Sequence, residues 1–306
     1  MAILKVALPK GHLWNKVKEL MDQAGYGLNV RSERSYLVNS NDPELELRIY
    51  RAQNIGPLVE EGKYDLGITG HDWVMESEVN VEEILDLELG RVNVVVAVPQ
   101  KYKIKPSKKN ENRVFRQLVE RVKLEGKERI IAASEYENIT KTLCEEKLGG
   151  FPYRFIRSFG ATETFIEVAD LIVDCTETGI TLRENGWEII YTIFQSTAHV
   201  IANKGSLKDT WKKGKIEDFI MLLKGAKDAT GLKLLKMNVP ESAIEKVTAV
   251  LPAMKSPTIS RLYGDGEPGY AVEVAVREDQ VVKLIPILKK KGATDILEID
   301  IKKVVK

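Results

Sequence analysis

The sequence predicts an α/β fold: two successive α/β lobes followed by a small βαββαβ domain. Three observations carry this reading. Continuous apolar runs such as Val92–Val98 alternate with amphipathic helical stretches, the mark of mostly parallel sheets covered on both faces. The rhythm stops at a lysine-rich stretch over 100–112, read as a solvated loop, and then restarts. Beyond residue 207 a charged helical stretch leads into strand, helix, strand, strand, helix and strand, the ferredoxin-like order.

Each element follows from local pattern. Ile3–Leu8 is a short apolar strand stopped by Pro9-Lys10-Gly11. Leu13, Val17, Leu20, Met21 and Ala24 share one helical face, and Gly25 ends that helix. Leu45–Arg51 alternates with period two, a short helix follows near Leu58–Glu61, and Asp65–Thr69 is a buried strand ending at Gly70. A short helix follows Asp72. After the break, Val114–Val122 is helical, Arg129–Ala133 a strand, Asn138–Leu148 a helix and Tyr153–Ile156 a strand. Thr164–Ala169 is helical, Leu171–Cys175 a strand, and a helix opens near Gly179. Trp187–Ala202 reads as two strands parted near Ser196. In the tail, strands over Lys233–Val239, Thr258–Tyr263, Tyr270–Val276 and Ile296–Ile301 enclose helices Ala243–Leu251 and Val281–Lys290. The segment 264–269 is the hairpin turn, and Pro286 predicts a kink or break in the last helix.

Composition narrows the function. Lys plus Arg number 46 and Asp plus Glu 45 in 306 residues, a net charge of +1 without the basic excess of a nucleic-acid binder. Hydrophobic residues make up 43%, enough for sizeable cores. Two cysteines, Cys144 and Cys175, give neither a disulfide framework nor a zinc quartet. The first residues run straight into a strand pattern, and no apolar run approaches the roughly 18 residues of a membrane span. The expectation is a cytoplasmic protein with neither membrane nor nucleic-acid partner.

The most informative run is ADLIVDCTETGITLRENG (169–186). An apolar strand ends on Asp174, a Thr/Gly loop follows, and a helix begins. Unpaired N–H groups at a helix start hold phosphate. Gly179 permits close backbone approach, Thr178 and Thr181 add hydroxyls, and Asp174 is placed to accept bonds from sugar hydroxyls. Lys10-Gly11 after the first strand offers a second anion position, and Gly67-Ile-Thr-Gly-His-Asp72 is a third loop at a strand's carboxyl end. Three such loops imply one cleft. The histidines, His12, His71 and His199, show no metal-ligand spacing and read as packing or hydrogen-bonding residues. Walker A and Gly-x-Ser-x-Gly patterns are missing, and the first strand-to-helix turn lacks Gly-x-Gly-x-x-Gly.

Taken together, LPKGHL (8–13), RAQNIGPLVEEGKYDLGITGHDW (51–73), GATE (160–163) and the run at 169–186 resemble the ATP phosphoribosyltransferase family. LPAMKSPTISRL (251–262) and KKKGATDILEIDI (289–301) resemble the regulatory domain of its long form, so the likeness spans the chain in order. The resemblance implies a two-lobed fold like type II periplasmic binding proteins, with 1–99 and 187–206 in the first lobe and 100–186 in the second. It implies chain crossings near Pro99 and Gly186, a helical connection at 207–230 and a regulatory domain at 231–306.

It also implies a reaction, the first step of histidine biosynthesis: ATP and phosphoribosyl pyrophosphate, with Mg2+, give phosphoribosyl-ATP and pyrophosphate. Lys10, Arg51 and Asp174 would be catalytic. Asp174, Thr176, Glu177, Thr178, Gly179, Ile180 and Thr181 would hold phosphoribosyl pyrophosphate. Lys10, Gly11, Leu13, Gly70, Asp72 and Glu163 would hold the nucleotide. Histidine inhibition and a homo-oligomer, dimer and hexamer, would complete the likeness. The magnesium ligands and the histidine site stay unassigned, with the loop 255–258 and the turn 264–269 as the places to look. The chain departs from the family pattern at His12, where Arg is common, at Asn54-Ile55-Gly56-Pro57, where the motif is DIP, and at Glu177, where a small residue is common. The alternatives are a non-catalytic two-lobed anion-binding protein and an allosteric regulator.

Overall fold

Apolar alternation at the amino terminus makes the first strand. In β1 (Leu4–Pro9) every residue except Lys5 is buried, and the strand pairs in parallel with β4 (Leu45–Tyr50) and β5 (Leu66–Gly70). A computed structural model describes residues 2–306 apart from 31, 33, 34, 107–110, 253–255 and 264–266. Helix α1 (His12–Gln23) follows β1, and the short strands β2 (Asn29–Val30) and β3 (Leu37–Asn39) lead to β4. Then come α2 (Ala52–Glu60), β5, α3 (His71–Ser77) and β6 (Glu82–Asp86). With β12 (Ala198–Ala202) these strands form a seven-stranded sheet in the order β2-β3-β4-β1-β5-β12-β6.

The second sheet has the order β11-β7-β10-β8-β9, from β7 (Val92–Pro99), β8 (Ile130–Ser134), β9 (Tyr153–Arg157), β10 (Leu171–Thr176) and β11 (Trp187–Ser196). Its helices are α4 (Glu111–Leu124), α5 (Glu137–Lys147) and α6 (Ile180–Glu184). The valine run of β7 is apolar at nearly every position because it feeds two cores. Val94, Val96 and Val98 pack with Phe115, Leu118 and Val173 on one face, while Val95 and Ala97 pack with Ile172 and Trp187 on the other. Each such side chain contributes roughly 1.5–3 kcal/mol by leaving water.

Several sequence expectations are corrected here. The strands β7 and β11 belong to the second sheet, so the chain crosses between sheets at 87–91 and at Thr197, not near Pro99 and Gly186. Helix α2 begins at Ala52 and passes through Pro57, six residues before the expected start at Leu58. The stretch 100–112 is not merely a solvated loop. Tyr102 and Ile104 are buried, and the Tyr102 hydroxyl donates to buried Asp170 at 2.6 Å. The expected helix at Thr164–Ala169 is a 3-10 turn over Thr162–Glu167.

The chain divides into two compact units, Met1–Glu19 with Gly27–Glu217, and Leu20–Tyr26 with Asp218–Lys306. Helix α7 (Thr210–Ala229) begins in the first unit and ends in the second, and its Phe219, Leu223 and Ala226 are buried. That unit holds β13 (Leu232–Pro240), α8 (Ile244–Thr248), β14 (Thr258–Arg261), β15 (Gly269–Arg277), α9 (Glu278–Lys290) and β16 (Thr294–Asp300). The antiparallel order β14-β15-β13-β16 is the ferredoxin-like arrangement the sequence predicts. Alternation in Leu235, Met237 and Val239 and in Val272, Val274 and Val276 aims one sheet face at the core. Of the kink or break expected at Pro286, the break does not occur: helix α9 runs through it. Of the segments proposed for the histidine site, Lys255 and 264–266 lie outside the described residues.

Candidate active site

The parallel strands β1, β5 and β8 deliver loops to one cleft at their carboxyl ends. Lys10, Gly11 and Leu13 after β1, Arg51 after β4 and Gly70 and Asp72 at the β5–α3 junction line a single cavity of about 410 Å3. Glu135, Tyr136 and Cys175 line its other side, from the second lobe. A neighbouring cavity of about 370 Å3 is lined by Lys10, Tyr36, Arg48 and Arg51. Arg48 Nε is buried with no hydrogen-bond partner among the described residues, an orphaned donor that an anion would satisfy. The first lobe thus presents Lys10, Arg48 and Arg51, and the second presents Glu135.

Asp72 is the structural keystone of this cleft. It is buried, its Oδ2 accepts from the Tyr136 hydroxyl at 2.6 Å, and its Oδ1 accepts from Ser196 Oγ at 2.6 Å. Its own N–H donates to the same Ser196 Oγ at 3.0 Å. Asp72 comes from the first lobe, Tyr136 and Ser196 from the second, so the carboxylate ties the lobes together. Burial and the Asp72 carboxylate hold the Tyr136 phenol well above its ordinary range, so it stays a donor. A Cβ on Gly70 would stand 2.2 Å from Asp72 Oδ1, which is why the strand must end on glycine. Glu76 makes a second tie: its carboxylate accepts from the N–H groups of Asn138 and Ile139 at the start of α5.

Asp174 lies half-buried within β10, which continues two residues past it to Thr176, and accepts from the Cys175 N–H at 2.7 Å. The surrounding protein, with Glu163 and Glu135 nearby, pushes its carboxyl up to about 7 against that single opposing bond. Burial also raises Glu135, with Arg51 and Arg157 opposing.

The loop after Asp174 is built for a tight turn. Thr176 Oγ1 accepts from the Gly179 N–H at 2.8 Å, and Thr178 Oγ1 from the Ile180 N–H at 3.4 Å. Gly179 has φ +75°, and a Cβ there would stand 2.6 Å from Ile189 Cδ1. Thr178, Ile180 and Thr181 are exposed, and Arg183 secures the loop by donating to the carbonyls of Thr178 and Gly179. Glu177 reaches towards α1, its Oε1 3.7 Å from Lys16 Nζ, which explains how a carboxylate is tolerated there.

The lining of the larger cavity therefore brings together Lys10, Gly11, Leu13, Arg51, Gly70 and Asp72. It does not include Asp174, Glu163 or Thr176–Thr181, although Cys175 beside Asp174 is part of it. Glu163 uses its backbone carbonyl to accept from Trp187 Nε1. The sequence reading missed Arg48, Glu135, Tyr136 and Ser196. For Glu135 and Tyr136 the available signal was position, directly after a buried strand, where α/β sheets place ligands.

Fold and cleft define a two-lobed α/β protein with a cleft between its lobes lined by Lys10 and Arg51 on one side and Glu135 on the other. Comparison with known sequences gives the particular kind. A family model described as "HisG: ATP phosphoribosyltransferase" matches residues 51–225, and "HisG, C-terminal domain" matches 229–303. An ATP phosphoribosyltransferase of Chlorobium phaeovibrioides is 41% identical over 99% of this chain and 98% of its own length. One of Pelotomaculum thermopropionicum is 40% identical over 99% of each. Among solved structures, a chain of the ATP phosphoribosyl transferase (HisG:HisZ) complex from Thermotoga maritima aligns with TM-score 0.58 and 27% identity. That alignment covers 72% of this chain and 97% of the other. The chain belongs to the ATP phosphoribosyltransferase family, in the form that carries the additional C-terminal domain.

Proposed function

We propose that the cleft joins ATP to phosphoribosyl pyrophosphate, the first reaction of histidine biosynthesis, through the residues described above. The chain is a glycosyltransferase by family. The observation that carries the assignment of roles is the opposition of Lys10 and Arg51 to Glu135 across one cavity, with Arg48 in the neighbouring cavity and Asp174 beside the lining residue Cys175. The alternative of a non-catalytic binding protein is not favoured, because relatives aligned over 98% of their length carry the enzyme's name.

In this reading the loop 176–181 holds the 5-phosphate of the ribose, with the exposed Thr178 and Thr181 hydroxyls donating. Asp174 accepts from the ribose hydroxyls. Lys10, Arg48 and Arg51 hold pyrophosphate and nucleotide phosphates, and Gly11, Leu13, Gly70 and Glu163 shape the nucleotide side. The adenine N1 lone pair forms the new bond to the ribose anomeric carbon as the carbon–oxygen bond electrons leave with pyrophosphate. No general base is needed at the attacking nitrogen. Catalysis is then positioning and charge stabilisation: carboxylate charge near the oxocarbenium-like carbon, cations at the departing pyrophosphate. Asp72 acts by holding Tyr136 and Ser196, its oxygens already engaged by both.

A magnesium ion carried by pyrophosphate needs one or two protein carboxylates and keeps the rest of its shell as water and phosphate. Asp174, held up to about 7 with carboxylate neighbours, fits that need. The ion would neutralise charge on the leaving pyrophosphate. The C-terminal unit is read as the regulatory domain, responding to histidine and supporting dimer and hexamer assembly. No described helix is long and apolar enough to cross a membrane, in keeping with a cytoplasmic enzyme.

The test is pyrophosphate release by the full chain. It should require both ATP and phosphoribosyl pyrophosphate, and mass spectrometry should find phosphoribosyl-ATP. Release from phosphoribosyl pyrophosphate alone, or none, refutes the reading. Millimolar histidine should suppress the rate, and an indifferent enzyme removes the regulatory assignment.

A further inference from the structure

Two of the three histidines, 128 residues apart in sequence, meet in the first lobe. His71 Nδ1 lies 2.9 Å from Glu83 Oε2, and His199 Nδ1 lies 2.6 Å from the same oxygen. The imidazole rings stand 5.0 Å apart at 30°. One atom from each of these side chains lies within 4.8 Å of the others. Their side chains are 29%, 30% and 18% exposed for His71, Glu83 and His199, so the group is accessible yet held.

The backbone is shaped to assemble it. His71 opens α3 and is anchored by its N–H to the Thr197 carbonyl, while His199 sits on β12 opposite Asp86 of β6. Glu83 and Asp86 are three residues apart, so a regular strand would send them to opposite faces. The register between β6 and β12 shifts between Val200 and Ile201, passing over Ile84. That irregularity brings both carboxylates to His199, with Asp86 Oδ1 3.6 Å from His199 Nε2. Asp86 is itself fixed by Thr197 Oγ1 and the Glu88 N–H. Phe194 packs edge-on against His71, 5.9 Å between rings, closing one side with an apolar wall.

We propose that His71, Glu83 and His199 form a binding site for a transition-metal dication of the zinc class, distinct from the magnesium of the reaction. Two imidazoles and a carboxylate suit zinc, cobalt or nickel and not magnesium, which takes oxygen ligands. Three protein ligands leave a fourth position for water. On binding, the metal takes both Nδ1 atoms, the imidazole protons reside on Nε2, and Asp86 accepts from His199 Nε2–H, the outer carboxylate that commonly orients a ligating histidine. The bound ion links α3, β6 and β12 beside the two chain crossings, on residues outside the Lys10 and Arg51 cavity lining but next in sequence to its Gly70, Asp72 and Ala198. This deduction does not depend on the reaction assigned to that cleft.

The test uses the full chain, stripped with chelator, then given Zn2+ or Co2+ and passed over a desalting column. Elemental analysis should find one metal per chain, and calorimetry against a competing chelator gives affinity. His71→Asn and His199→Asn should each weaken Zn2+ binding by at least about tenfold, and Asp86→Asn by roughly 10–100-fold. Glu83→Gln, nearly isosteric, keeps the test valid if a histidine variant misfolds. His12→Asn should change nothing. Binding that survives loss of His199 and Glu83, binding abolished by His12→Asn, or no retained metal each overturn the proposal.

Discussion

Replacing Asp174 by Asn should stabilise the free protein while slowing the reaction. The carboxyl titrates near 7 instead of 3.8, so the folded chain holds its proton more tightly than the unfolded chain does. Folding stability is therefore lost as pH rises from about 4 to about 7, and above that the full cost of burying the charge is present. The gap corresponds to a ceiling of about 4 kcal/mol. Asp174 is only half-buried, and solvent screening reduces this to about 1–2 kcal/mol. Asparagine keeps the shape and still accepts the Cys175 N–H but carries no charge. Urea unfolding at pH 5 and pH 8 should show the variant's advantage growing to about 1–2 kcal/mol at the higher pH. Turnover at pH 8 should fall about 100-fold, the scale of losing one preorganised electrostatic group. An advantage equal at both pH values, or a less stable variant with wild-type turnover, would refute the reasoning.

Tyr136→Phe removes a hydrogen bond to buried, charged Asp72 and should cost about 1.5–3 kcal/mol in urea unfolding; unchanged stability would remove the tie between the lobes. Thr178→Val and Thr181→Val should weaken phosphoribosyl pyrophosphate binding about 10–150-fold by calorimetry, and unaltered affinity in both would take the loop out of the site. Glu177→Gln breaks an exposed pair with Lys16 and should shift stability by less than about 1 kcal/mol, while lowering the KM for phosphoribosyl pyrophosphate by removing a repulsive charge; a raised KM would instead make Glu177 a binding group.

What the sequence could reveal was set by range. The alternation in β13 and β15 and the helical face of α1 are local patterns, and they gave the tail's strand order and the first helix directly. The strand β6 escaped because its Glu82-Glu83 pair hides the apolar rhythm, and Pro57 masked the start of α2, although proline late in a short helix merely forgoes one bond. The lobe boundaries slipped because β7 and β11 look like any buried strands, and only pairing decides which sheet they join. The junctions at or beside Lys10, Asp72 and Asp174 were legible because strand-loop-helix junctions have a signature. Tyr136 and Ser196 were not, since they reach Asp72 from 64 and 124 residues away. His71 and His199 escaped for the same reason.

The most direct measurement is a crystal structure of the full chain with phosphoribosyl pyrophosphate and Mg2+. The account predicts the 5-phosphate against Thr176–Thr181, the ribose hydroxyls on Asp174 and the pyrophosphate towards Lys10 and Arg51. Density for the ribose phosphate elsewhere, with the 176–181 loop bare, would contradict it.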